Sequence, residues 1–368
     1  LAIHSPHYDN LTQYIRLAIN ECIAKYFVLC YAFLSIRKED DLHPVFRISY
    51  YGLLVLTLFA LFNYVAKSAF FVNEMYRGMA LTDVMQDTGN KFTYSERFRV
   101  QAMFFNPFDY GYICILLLLF NWYGYIKSFI SKKRFYMIIG CCLYGIITCG
   151  CRTNMLCCLI GVFVYVLFAF DLKKRTKYFA VCSLLGIILF SSIPFLQEKV
   201  NDILSIFDKN SSMSGSSIEM RVLQYTAVMN HVRDHFLLGR GLDYFFIDMG
   251  WSEGKQYLVD QDLFGLEGVL MNYLLERGFL GICFYLFFYV YVLCFFYKHK
   301  SVDKNISALG VSILVTYLAF ANMTGELNSV FPTLLITGIC LKVLYMNIIC
   351  KKIRNKHEIQ HRNPGIQS

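Results

Sequence analysis

A single arginine, Arg152, stands among 36 residues from Phe135 to Phe170 that carry no other charged side chain. A charge at the centre of a bilayer costs at least about 2.5 kcal/mol, so such residues tend to mark function. Arg152 either snorkels to lipid headgroups or forms the floor of an outward-facing anion site. A guanidinium suits the second task because its rigid fork grips phosphate oxygens in pairs. Other arginines have comparable settings. Arg97 and Arg99 precede an apolar run, and Arg221 and Arg240 lie in the long polar segment 197–277, beside the carboxylates Asp260, Asp262 and Glu267. That segment holds more acidic than basic residues, so a phosphate bound there must be gripped by particular arginines and not by a general positive field. A partly buried carboxylate is the natural group to take a proton from a hydroxyl.

The elements that must position these residues are membrane spans. The chain is 57% hydrophobic and 17% aromatic, with a mean hydropathy of +0.45. Windows of about 20 apolar residues fall near 18–36, 48–71, 104–126, 135–151, 153–170, 177–196, 278–297, 306–323 and 328–350. The first contains Glu21 and Lys25 one turn apart, which would have to pair or face the interior. The expected fold is an all-α polytopic membrane protein of about nine to ten transmembrane helices with one large external loop. Basic clusters follow alternate spans: Arg37 and Lys38; Lys127 to Arg134; Lys173 to Lys177; Lys298 to Lys304; Lys351 to Lys356. Short loops rich in Lys and Arg stay cytoplasmic, so the formal net charge of +9 is an orientation signal and not a nucleic-acid patch.

Several consequences follow. Basic clusters on both sides of the 135–170 run make it a hairpin, with Gly150, Thr153 and Asn154 expected in the turn and Arg152 at the outer interface. The N-terminus falls outside, without a signal peptide, so at least one upstream span is expected to be missing from this sequence. Four regions result: spans over 1–196, an external loop over 197–277, spans over 278–350 and a basic cytoplasmic tail over 351–368. Within the loop, Met220, Leu223, Ala227 and Val228 recur at helical spacing, predicting an amphipathic helix over about 217–236 that ends at Gly239 and Gly241. His231 and His235 have metal-pair spacing, but no third ligand is apparent and the zinc-protease glutamate is missing. The cysteines lie in or beside spans and read as small packing residues.

Four stretches carry a resemblance: "RFRVQAMFFNPFDYGYICILLLLF", "CRTNMLCCLIGVFVYVL", "MRVLQYTAVMNHVRDHFLLGRGLDYF" and "EGVLMNYLLERGFLGICFYLFF". In order, spacing and side of the membrane they resemble the O-antigen and capsular polysaccharide polymerases of the Wzy family and their relatives, the O-antigen ligases, over about 97–290. Glu267 stands where the ligases carry the histidine of "HN", which favours a polymerase. The resemblance implies a metal-independent membrane glycosyltransferase of the bacterial cytoplasmic membrane, using no cofactor. It would join undecaprenyl-pyrophosphate-linked repeat units at the outer face. Glu267, Arg152 and Arg221 would be catalytic; Arg97, Arg99, Arg240, Asp260 and Asp262 would bind substrate, with Glu267 the first choice of base. Implied partners are the lipid-linked oligosaccharide, the membrane, and chain-length regulator and flippase proteins. The rival reading, a flippase or exporter of the same lipid, would need charged residues spread through several spans, which are not evident.

Overall fold

The computed structural model describes residues 23–78, 98–171, 218–242, 266–325 and 328–362, with a few single positions beside them. The described residues are helical, without strands. In chain order the helices are α1 (Lys25–Ser35), α2 (Leu42–Ala66), α3 (Phe70–Gly78), α4 (Pro107–Ile126), α5 (Lys132–Thr148), α6 (Arg152–Ala169), α7 (Ile218–Val232), α8 (Val269–Lys298), α9 (Lys304–Thr324) and α10 (Val330–Arg362). Five of them, α2, α6, α8, α9 and α10, are long and apolar enough to cross a membrane. Helices α4 and α5 cover two further expected spans with 20 and 17 residues, and α1 covers the second half of the first. Glu21 and residues 178–196 of the expected 177–196 span lie outside the described residues.

Helix α9 forms the centre of the bundle. Most of its apolar stretch is buried, whereas α2 leaves Ile48, Leu58, Phe62 and Val65 exposed on its outer side. A water-soluble protein would bury such residues, and a lipid-facing helix has no reason to. Contacts between helices use small residues, because without a hydrophobic force in lipid, close backbone approach and interhelical hydrogen bonds hold a bundle together. Ser312 Oγ of α9 donates to the Gly161 carbonyl of α6 over 2.6 Å. A methyl group on Gly161 would meet Thr316 Oγ1 at 2.6 Å, and one on Gly338 of α10 would meet the Leu29 carbonyl of α1 at 2.5 Å. Cysteines serve the same purpose: Cys114 faces Gly145 across the α4–α5 contact, and Cys114, Cys142, Cys157 and Cys340 are buried.

The basic connections gather at one end. Asp303 caps α9 by accepting from the Asn305 and Ile306 amides through Oδ1, while its Oδ2 accepts from Lys127 Nζ at 2.7 Å and from Asn347 Nδ2 at 3.1 Å. Lys304 pairs with Asp171, and His43 packs edge-on against Phe129. The connections after α1, α4, α6 and α8 therefore share one surface with α10, as alternating topology requires.

Candidate active site

The opposite end brings together Arg99, Arg152, Arg221 and Glu267. At the hairpin between α5 and α6, the turn occupies Cys149 to Cys151, with Gly150 at φ +65°. Thr153 and Asn154 belong to α6 and not to the turn, a correction with a clear cause. Arg152 is the first residue of the helix, and Asn154 points sideways to donate to the Phe108 carbonyl of α4 at 3.1 Å. Arg99 approaches from the preceding segment. The Val100 amide donates to the Thr148 carbonyl at 3.1 Å, and the Arg99 side chain lies over Gly150. A side chain on Gly150 would push against that stem, so the bare turn keeps Arg99 beside the tip on which Arg152 sits. Both arginines are partly exposed.

Arg221 comes from the first turns of α7. Its Nη2 donates to Glu267 Oε2 at 2.7 Å and to the Met323 carbonyl at 3.1 Å. Glu267 sits in the short segment before α8, and Gly268 (φ +108°) packs within 3.2 Å of the Asn322 carbonyl, measured from where a side chain would begin. The end of α9 thus holds both members of the pair. Their side chains are 28% and 31% exposed. A pair this exposed adds little stability, about 0–1 kcal/mol, so its value lies in fixing where a guanidinium and a carboxylate stand.

Helix geometry relates the two arginine sites. From the Gly161–Ser312 contact, Arg152 lies nine residues along α6 and Met323 eleven along antiparallel α9, roughly 14 and 17 Å in the same direction at 1.5 Å per residue. Arg99, Arg152, Arg221 and Glu267 therefore occupy one layer at the end of the bundle opposite the basic connections. Arg240 does not join them. Its Nε donates to the His231 carbonyl at 2.6 Å and its guanidinium lies 5.9 Å from the Tyr244 ring centre. That is the far end of α7, about 15 Å from Arg221 along the helix. Arg97, Asp260 and Asp262 lie outside the described residues.

Two further polar groups share the layer and escaped the sequence reading. Asn106 caps α4, accepting from the Asp109 amide at 2.8 Å, with Pro107 at the first helical position. Asp109 is 2% exposed, and its Oδ2 accepts from Asn106 Nδ2 at 3.0 Å and from Asn328 Nδ2 at 3.5 Å. The signal was present in "NPFD", an aspartate three residues after a cap at the mouth of a span.

The joint between α7 and α8 gives a physical reason for the glycines of "LLGRGL" and "LLERGFLG". Helix α8 is broken at Gly278 (φ +64°, ψ −169°), a conformation essentially confined to glycine. In an unbroken helix the Phe279 and Leu280 amides would bond the Leu275 and Glu276 carbonyls. Here those amides bond the Phe236 and Leu237 carbonyls, and the freed carbonyls accept from the Arg240 and Gly241 amides, over 2.8 to 3.2 Å. The two segments cross so closely that a side chain on Gly239 or Gly278 would sit 2.5 Å from backbone atoms of the other.

Residues 135–286, from α5 into α8, match the model of the family described as O-antigen ligase. That span covers the hairpin, α7, the Arg221–Glu267 pair and the glycine joint. The described fold is that of a polytopic membrane protein, and the match supports involvement in lipid-linked polysaccharide processing. The similarity to the O-antigen ligase family covers less than half of the chain. No curated protein matches the chain.

Proposed function

We propose that the protein is a polymerase of undecaprenyl-pyrophosphate-linked oligosaccharide repeat units, acting at the outer face of a bacterial cytoplasmic membrane with its C-terminus in the cytoplasm. The observation that carries this reading is the Arg221–Glu267 pair, clamped on the Met323 carbonyl in the same layer as Arg99 and Arg152. A hydroxyl oxygen at the non-reducing end of one lipid-linked unit attacks the anomeric carbon of the other chain. The bond from that carbon to the pyrophosphate oxygen breaks, and the electron pair leaves on undecaprenyl pyrophosphate. Glu267 takes the hydroxyl proton. Arg152, Arg221 and Arg99 meet the developing phosphate charge with preformed donors, where they act most strongly on a transition state. Guanidinium groups fill this role without a divalent metal. The bond between Glu267 and Arg221 keeps base and leaving-group binder in register, since an ångström of misplacement erodes rate heavily. Glu267 in place of the ligase histidine supports chain growth over transfer to a different acceptor.

The test is the polymer ladder in cells lacking the native protein. Glu267→Gln and Arg221→Ala should each leave single, unpolymerised units while the protein still inserts. A normal ladder from both variants would overturn the assignment of these two residues.

A further inference from the structure

Helix α7 presents one face to the protein and a second apolar face to its surroundings. Ala227, Val228 and Val232 are buried against Leu274 and Leu275 of α8. Val222 and Met229, on the other side, are 56% and 48% exposed. Beyond the short turn Arg233–His235 come three consecutive exposed apolar residues, Phe236, Leu237 and Leu238, with Leu237 at 60%. An amphipathic helix lying on an aqueous surface would end in polar residues. This one ends in an apolar wedge.

What covers that wedge is indicated by what it is attached to. The Phe236 and Leu237 carbonyls are bonded to the Phe279 and Leu280 amides, and the Phe236 and Phe279 rings stack with centres 5.6 Å apart. Phe279 and Leu280 begin the exposed stripe of α8 that continues through Phe284, Phe287 and Tyr291. Helix α8 is one of the five described helices able to cross a membrane, and an exposed apolar stripe along such a helix faces acyl chains. The wedge is thus a lateral extension of a lipid-facing surface, held in place by backbone hydrogen bonds. Exposed Arg233, Asp234 and His235 lie immediately before it, the arrangement of an interfacial segment whose charged groups stay among headgroups while its apolar residues enter the chains.

We infer that the Phe236–Leu238 turn is inserted into the outer leaflet and that α7 is an interfacial helix tied down at both ends, by Arg221 on the end of α9 and by the wedge in lipid. The occupant of the exposed face is the acyl-chain region of the membrane. The contact does not depend on which reaction the site performs. Its consequence for that reaction, which rests on the proposed function, is that the leaflet sets the height of Arg221 and Glu267, placing them where the phosphates of a lipid-linked substrate emerge.

The experiment uses the full chain in phosphatidylcholine vesicles, with nitroxide labels either near the headgroup or near the chain end, and no substrate. Leu237→Trp is compared with the parent protein, whose own tryptophans set the background. The added emission should be quenched by the shallow label more than by the deep one and should resist aqueous iodide. Phe236→Trp, which retains an aromatic ring for the stack on Phe279, reads the same position if the first variant misfolds. Quenching by iodide without quenching by lipid label would overturn the inference. So would protection from both together with chemical crosslinking into dimers, which would make a second copy the occupant. Neither result bears on polymerase activity, and loss of activity in the ladder assay would not touch this reading.

Discussion

Gly278→Ala should open the α7–α8 joint, and its cost can be worked out from the geometry. Gly278 has φ +64° and ψ −169°, a region that costs a non-glycine residue about 1–3 kcal/mol. The added methyl would also lie 2.5 Å from Gly239 N and from the Leu237 carbonyl carbon and oxygen. These are backbone atoms, so no side chain can swing aside, and only separation of the two segments relieves the overlap. Separation gives up the hydrogen bonds of Phe279, Leu280, Arg240 and Gly241, each contributing about 0.5–1.5 kcal/mol, or about 2–6 kcal/mol together. Hydrogen exchange of those amides, followed by mass spectrometry in detergent, should accelerate by about 30-fold or more at the lower end of that range. Gly140→Ala is the control, because nothing lies within 4 Å of the added methyl there, and alanine in a helix interior is favoured by roughly 0.5–1 kcal/mol. Unchanged exchange at 236–241 and 279–280 in Gly278→Ala would refute the reasoning.

Two further outcomes follow from other parts of the molecule. Arg152→Lys keeps the charge but loses the fork; if the arginine grips a pyrophosphate oxygen pair, the loss should be about 2–3 kcal/mol, or about 30- to 150-fold in rate, read as a shortened polymer ladder, and a normal ladder would return Arg152 to snorkelling. Asp303→Ala removes the partner of Lys127, the cap of α9 and the acceptor for Asn347; breaking a largely buried pair costs about 3–5 kcal/mol, so thermal unfolding in detergent should fall clearly, whereas Asp40→Ala, whose pair with Lys38 is exposed, should leave it unchanged.

The spans that the structure describes were legible because lipid imposes a length and an apolarity that any stretch must satisfy by itself. Helix α7 was legible for a related reason: Ala227 and Val228 repeat on the face that meets α8, and Gly239 and Gly241 stop the pattern. Arg152 stood out because a lone charge in an apolar run is conspicuous. Other features depend on partners distant in the chain. Arg221 and Glu267 were each singled out, but their bond spans 46 positions and relies on the Met323 carbonyl, a main-chain atom invisible to residue type. The joint at Gly278 is likewise built from main-chain atoms, so the sequence betrays only the need for glycine and not the crossing. The resemblance groups Arg240 with the phosphate-binding arginines, and its bond to the His231 carbonyl places it at the other end of α7. Span length alone puts Asn154 in the turn of the 135–170 hairpin, yet the Phe108 carbonyl offers it a partner that keeps it in a helix.

The central claim is tested most directly by purified protein in proteoliposomes supplied with lipid-linked repeat units, in buffer containing EDTA, with products resolved by chain length. The account predicts a ladder of lengthened chains and release of undecaprenyl pyrophosphate, with Arg221→Ala and Glu267→Gln giving neither. Movement of the lipid-linked unit across the bilayer with no lengthening, or lengthening only after a divalent metal is restored, would contradict it.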